Sequence, residues 1–168
     1  MEPLLLVNLE EIPPEGLDLP LKLSPEQLSR LVVGPQEDPP KILGDLTGKL
    51  KIFKLDGRLK LQGGFEVEVS LPCDRCLAET AALLSGRVDE LLALSGGSYA
   101  PAAGEEDDSD GSLPVLGSQV DLSGLLAEFF WLAWPFRFIC RKDCAGLCPS
   151  CGADLNQGPC PCRKSEWN

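Results

Sequence analysis

Six of the eight cysteines in this chain lie in one stretch, CRKDCAGLCPSCGADLNQGPCPC at residues 140–162, and the sequence contains no histidine. The other two form Cys73-Asp-Arg-Cys76. Thiols at this density pair as disulfides, run redox exchange or bind metal. Cys-x-x-Cys is the common half-site of structural zinc, which takes four ligands in a tetrahedron. Cys148-Pro-Ser-Cys151-Gly152 has the form of a zinc knuckle. A tight turn brings two thiolates to one point, and Gly152 can take the backbone angle that follows. Leu147 and Leu155 would be its apolar support. Cys140-x-x-x-Cys144 has one-turn spacing, and Cys160-Pro-Cys162 is a tight pair held by Pro159 and Pro161.

Four pairs make two closed sites of four thiolates each. Cys148, Cys151, Cys160 and Cys162 form the simplest local set, across a short loop containing Asn156 and Gly158. Cys73 and Cys76 then join Cys140 and Cys144, in a site that would staple the body of the protein to its tail. A different grouping places Cys140, Cys144, Cys148 and Cys151 together, with one filled site. The expected cofactor is Zn2+, two ions per chain or one. No spacing matches a ferredoxin run, which disfavours iron–sulfur. A dithiol redox site at Cys73 and Cys76 is a competing reading, because a helix N-terminus can lower a thiol's pKa. Three further pairs and the lack of histidine weigh against it. A catalytic zinc needs an open position, and neither a phosphate-binding glycine loop nor a nucleophile motif is present. The sequence therefore predicts no enzyme, with the metals holding the fold.

Those sites need a scaffold. LLLVNL (4–9) reads as a buried strand. Ser24-Pro25-Glu26-Gln27 starts a helix that should run to about Val33, where Gly34-Pro35 ends it; Pro39 and Pro40 mark a loop. From Lys41 to Leu71, side chains alternate by twos around Asp56-Gly57, the signature of a tight hairpin. Gly63-Gly64 predicts a bulge or strand break. Residues 77–94 fit a strand followed by a helix, interrupted at Gly86. Ser95 to Gly117, with EEDDSD at 105–110, cannot bury apolar area and is expected to be a mobile acidic loop. Asp121 caps a helix whose apolar face includes Leu122, Leu125, Leu126, Phe129, Phe130 and Leu132, and Pro135 ends it. Phe129, Phe130, Trp131, Trp134, Phe136 and Phe138 fit a core better than a base-stacking platform. The prediction is an α+β protein: a small antiparallel curved sheet or barrel-like body with a few helices over 1–135, and a C-terminal Cys-rich zinc-ribbon-like module over 136–168.

The chain has 168 residues, 43% hydrophobic and 24% charged, ordinary values for a globular core. Its N-terminus carries acidic residues around a short apolar run, unlike a secretory signal. LLAEFFWLAWPF (125–136) is too short to span a bilayer. A cytoplasmic location, with no membrane partner, follows as the expectation, and reduced thiols there favour metal over disulfides. The net charge of −11 argues against indiscriminate nucleic-acid binding. Lys49, Lys51, Lys54, Arg58 and Lys60 nevertheless flank the hairpin turn and are the candidate RNA-binding residues. The tail adds Arg137, Arg141, Lys142, Arg163 and Lys164.

The succession DGRLKLQG, LPCDRCL, VDLSGLLAEFFWLAWPFRFIC and CRKDCAGLCPSCGADLNQGPCPC resembles the bacterial YceD family, proteins named for accumulation of large-subunit ribosomal RNA. The likeness covers roughly residues 45–162. It implies a non-catalytic role in ribosomal RNA processing and ribosome biogenesis, with ribosomal RNA or proteins of a pre-ribosomal particle as partners. The alternative is a zinc-ribbon protein–protein adaptor that never contacts RNA.

Overall fold

A computed structural model describes residues 4–33, 40–95, 113–160 and 162. Its elements are β1 (Leu6–Asn8), β2 (Leu17–Leu23), α1 (Pro25–Leu31), β3 (Lys41–Ile42), β4 (Leu46–Leu55), β5 (Arg58–Pro72), β6 (Glu79–Ser95), β7 (Leu113–Leu116), β8 (Gln119–Asp121) and α2 (Ser123–Ala133). The strands form one sheet in the order β1-β8-β7-β6-β5-β4-β2, with β3 also on β5. Every pairing is antiparallel except the two-residue contact of β6 with β7. The expected α+β body is therefore a mostly antiparallel sheet with two helices. It is open rather than barrel-closed, since no described pairing joins β1 to β2.

The β4–β5 hairpin turns at Asp56 and Gly57, with φ of 30° and 75°, as a two-residue turn between twisted strands requires. The expected break at Gly63-Gly64 does not occur. β5 pairs with β4 from Thr47↔Glu66 to Leu55↔Arg58 in a single register, and with β6 from Arg58↔Ala93 to Pro72↔Glu79. The parity of the sequence explains this. Leu59, Leu61, Phe65, Val67, Val69 and Leu71 are all odd-numbered and all buried, whereas a bulge would have moved the later ones to the other face.

Residues 77–94 likewise form one strand, not strand then helix. Gly86 pairs with Phe65, and a Cβ there would run into the Phe65 ring. The glycine clears space for an aromatic ring and does not end the element.

On the core face lie Leu46, Leu50 and Ile52 of β4, Leu84 and Val88 of β6, and the two helices. α1 begins with a complete capping box. Ser24 Oγ accepts from Gln27 N (3.3 Å) and Gln27 Oε1 accepts from Ser24 N (2.9 Å). The helix stops at Leu31, slightly before the expected end; Gly34, Pro35 and Pro39 lie outside the described residues.

The N-cap of α2 is Leu122 and not the expected Asp121; Asp121, one residue earlier, accepts from Ser123 N through Oδ1 (2.9 Å). Ser123 Oγ in turn accepts the N–H groups of Leu4 and Leu5, each at 3.0 Å, and so fastens the N-terminal strand. That strand is shorter than LLLVNL, and it alternates: Leu5, Val7 and Leu9 are buried while Leu6 is exposed. α2 buries Leu126, Phe129 and Phe130. Leu132, expected on the apolar face, is 79% exposed, because two residues beyond Phe130 the helix has turned by about 200°. Trp131 and Trp134 pack their rings on Phe130 at 5.4 and 5.7 Å. Phe136 stands wholly exposed. Of the expected loop 95–117, Leu113–Leu116 is β7, paired with β8. Residues 96–112, including EEDDSD, lie outside the described residues.

Candidate metal centre

Cys73 directly follows Pro72, the last residue of β5, and Cys76 sits in the turn that leads to β6. Cys73 N donates to Ala78 O (3.0 Å) and Leu77 N to Cys73 O (2.8 Å), which curls the connection into a knuckle. The segment after α2 is tied to it. Asp74 N donates to Phe138 O (2.9 Å), and Phe138 N donates to Asp74 Oδ2 (2.7 Å). This two-way clamp delivers Cys140 to the knuckle. Arg75 then reaches the next turn, with Nη1 donating to Cys144 O (2.9 Å) and its carbonyl accepting from Leu147 N (3.0 Å).

The outcome is a set in which the sulfurs of Cys73, Cys76, Cys140 and Cys144 all lie within 4.8 Å of one another. Cys73–Cys144 and Cys76–Cys140 are each 3.8 Å apart. A disulfide would need about 2.05 Å. A tetrahedron of thiolates around an ion with bonds of about 2.3 Å has edges near 3.8 Å. The separation suits four ligands on one such ion.

The second set is local. Cys148 N donates to Ala153 O and Gly152 N to Cys148 O, both at 2.8 Å, with Gly152 at φ 73°. Leu147 bridges Asp154, and Leu155 N donates to Gly146 O (2.9 Å). This small hairpin carries Cys148 and Cys151, and the chain returns with Cys160 and Cys162 so that all four sulfurs again fall within 4.8 Å. The structure thus brings together the grouping read first from the spacing, and not the set of Cys140, Cys144, Cys148 and Cys151.

Backbone amides pick one thiol in each set for ionisation. The N–H of Cys140, helped by those of Cys76 and Arg75, draws the Cys73 thiol down to about 6 against the opposing effect of burial. Amides of Ser150 and then Cys151 do the same for Cys148, also to about 6. Burial, followed by the neighbouring thiols, pushes Cys140 up to about 12. Four sulfurs at one point cannot all carry charge unaided, and a divalent cation is the group that lets them do so.

Asn156 joins the two sets. Its Oδ1 accepts from Arg141 Nη2 and Ala145 N (both 2.8 Å), and its Nδ2 donates to Asp154 Oδ1 (2.7 Å) and lies 3.6 Å from Cys144 Sγ. Cysteine spacing alone places Asn156 in a loop and gives it no role. Its signal was the Asp-x-Asn spacing, which favours a side-chain-closed turn; Asn156 N does donate to Asp154 Oδ1 (2.9 Å). Leu147, expected as support for the Cys148–Cys151 knuckle, packs on the first set.

The five hairpin cations are less united than their sequence crowding implied. On β4, Lys49 and Lys51 share the outer face with Arg58 and Lys60 of β5, while Lys54, one residue out of phase, faces the other side. Lys49 pairs with Asp18 (3.2 Å), Lys60 pairs with Asp89, and Lys51 Nζ lies 5.4 Å from the centre of the Phe53 ring. Among the described residues, no helix is long and apolar enough to cross a membrane.

Comparison with known proteins adds the family. An uncharacterised protein of Mycobacterium tuberculosis is 32% identical over 88 residues, which cover 52% of this chain and 40% of that protein. A chloroplastic maize protein, named a homologue of the large ribosomal RNA subunit accumulation protein YCED, is 25% identical over 131 residues, covering 64% of this chain and 45% of its own length. The chain thus spans less than half the length of these curated relatives. No solved structure matches it. The family described as "Large ribosomal RNA subunit accumulation protein YceD" matches residues 61–168. That span contains all eight cysteines and most of β5, and on it the chain belongs to the YceD family.

Proposed function

We propose that this protein is a non-catalytic, zinc-binding factor that supports accumulation of large-subunit ribosomal RNA in the cytoplasm. The observation that carries the reading is the family match over 61–168, whose description names that RNA. Zinc is the metal that the ligands favour: eight thiols and no histidine, with separations of 3.8 Å in the first set and all sulfurs within 4.8 Å in the second, suit two closed tetrahedral sites. A set closed by four protein ligands leaves no position for substrate or water, which supports a structural ion and no enzyme. The dithiol oxidoreductase reading loses ground for the same reason, since Cys73 and Cys76 sit among four clustered sulfurs.

Two tests separate the parts of this reading. Elemental analysis of protein purified without added metal should give close to two zinc ions per chain; a value near zero with intact thiols overturns the zinc part. Deleting the gene should lower the ratio of large- to small-subunit ribosomal RNA, with rescue by the wild-type gene. An unchanged ratio overturns the ribosomal part.

A second reading, a protein–protein adaptor without RNA contact, is favoured by one specific observation. Lys49, Lys51, Lys54, Arg58 and Lys60 all precede the family match, and two of them are engaged by carboxylates. Crosslinking mapped to residues decides between the two, because an adaptor yields no RNA adducts between Lys49 and Lys60.

A further inference from the structure

β6 gives one edge to β5 along nearly its whole length. Its other edge meets β7 only at Leu94↔Leu113 and Ser95↔Pro114. Among the described residues, no backbone hydrogen bond reaches that edge between Glu79 and Leu92. The hairpin geometry says which groups it shows. A two-residue turn closes on a pair that exchanges both backbone hydrogen bonds, here Leu55↔Arg58. Bonded pairs recur every second residue, so even-numbered residues of β5 bond to β4 and odd-numbered ones to β6. Their partners on β6 are even-numbered, as in Phe65↔Gly86 and Gly63↔Val88. Leu94 agrees, its N–H turning back toward the hairpin to meet Gly57 O (3.0 Å). Leu83, Ser85, Arg87, Asp89 and Leu91 therefore point their N–H and C=O groups outward, and all five are exposed.

A long unpaired edge is a template for another strand. We infer that β6 pairs antiparallel with β6 of a second copy, about a two-fold axis at Val88. In that register Arg87 of each copy lies opposite Asp89 of the other, which Lys60 of its own chain already holds, so the axis adds a second cation to each of two carboxylates. On the core side Val88 meets its own copy and Leu84 meets Leu92. Glu90, exposed in each chain, faces Gly86, where the Phe65 ring of that copy fills the space a side chain would take. Neighbouring registers lack this match: an axis at Arg87 sets the two guanidinium groups against each other, and one at Gly86 places Leu83 opposite Asp89. β7 bounds the paired strip beyond Ala93. This interface is independent of any part in ribosomal RNA metabolism.

The test uses the full-length, metal-loaded chain under reducing conditions. Sedimentation should show a concentration-dependent species of twice 18.1 kDa. Arg87→Asp and Asp89→Arg should each raise the dimer dissociation constant by about tenfold or more, since each makes both cross-strand pairs like-charged. Mixed in equal amounts, the two variants should associate, because every pair across the axis becomes opposite again. Ser85→Pro removes an outward N–H that no described residue of the monomer accepts, so it should fold and stay monomeric. A wild-type chain that is monomeric at every concentration overturns the inference and leaves the edge to a different partner. Single variants that dimerise like wild type also overturn it. Amide exchange on the wild-type chain covers any variant that fails to fold. The N–H groups of Ser85, Arg87 and Asp89 should gain protection with concentration, whereas those of Leu84, Gly86 and Val88 are protected throughout. Exchange that is independent of concentration overturns the inference.

Discussion

At the scale of single residues, the eight cysteines are alike in type and unlike in consequence. Cys73 belongs to the body and Cys144 to the tail, with sulfurs 3.8 Å apart, so their set joins segments far apart in sequence. Cys148, Cys151, Cys160 and Cys162 join only the tail to itself. Cys73→Ser should halve the bound metal and release residues 137–147 from the β5–β6 turn, seen as lost amide protection there. Cys148→Ser should also halve the metal yet leave the clamp between Asp74 and Phe138 intact. Equal loosening of the Asp74–Phe138 contact in both would show that the sets act as one unit. A surface carboxylate gives a separate test. Lys60, followed by Gln62, holds the Asp89 carboxyl below its usual range. A depressed folded-state pKa stabilises the protein above the unfolded value, and that contribution is lost as pH falls through the lowered one. Lys60→Met should move the Asp89 titration back up in an NMR pH series. If it does not move, Lys60 is free for other partners, phosphates included.

At the scale of elements, the sequence was most legible where period and punctuation agreed. The hairpin at Asp56-Gly57, the capping box at Ser24 and the pairing of the cysteines into two sets all follow from local chemistry. Glycine misleads within the long strands. Read locally, Gly63-Gly64 and Gly86 break strands; in the folded sheet they are where three strands approach closely. A Cβ at Gly63 would meet Lys49 O, and one at Gly86 would meet the Phe65 ring. That need arises from a partner strand, so no local pattern could have announced it. Parity was the better guide, because the apolar positions of β5 keep phase across the glycine pair. Gly86→Ala should therefore destabilise the fold by about 1–3 kcal/mol through overpacking. Phe65→Leu in the same chain should recover part of the loss. Chemical denaturation of the single and double variants measures both. Gly86→Ala alone with unchanged stability would mean that Phe65 shifts without cost.

At the scale of the whole molecule, two ways of holding a chain together meet at the β5–β6 turn. The sheet and its helices bury a continuous apolar core from Leu5 to Phe130, which contains none of the cysteines. Among the described residues the tail has a small apolar interior: around Cys73, Cys76 and Cys144 pack Ile139, Cys140 and Leu147. A segment that buries so little does not offset its own conformational entropy, and on the proposed reading metal ligation supplies the difference. Structural zinc contributes about 10–16 kcal/mol in isolated finger peptides. Chelation should consequently strip amide protection from 140–160 while β4, β5 and β6 stay protected up to the end of β5. Hydrogen exchange before and after chelation reads this directly. The boundary is the informative part, because Cys73 and Cys76 lie inside the body. Loss confined to residues after 147 would mean that the Asp74–Phe138 clamp and the Arg75 contacts hold the first set without metal. Uniform loss across the sheet would mean that the staple, and not the apolar core, sets the stability of the whole chain.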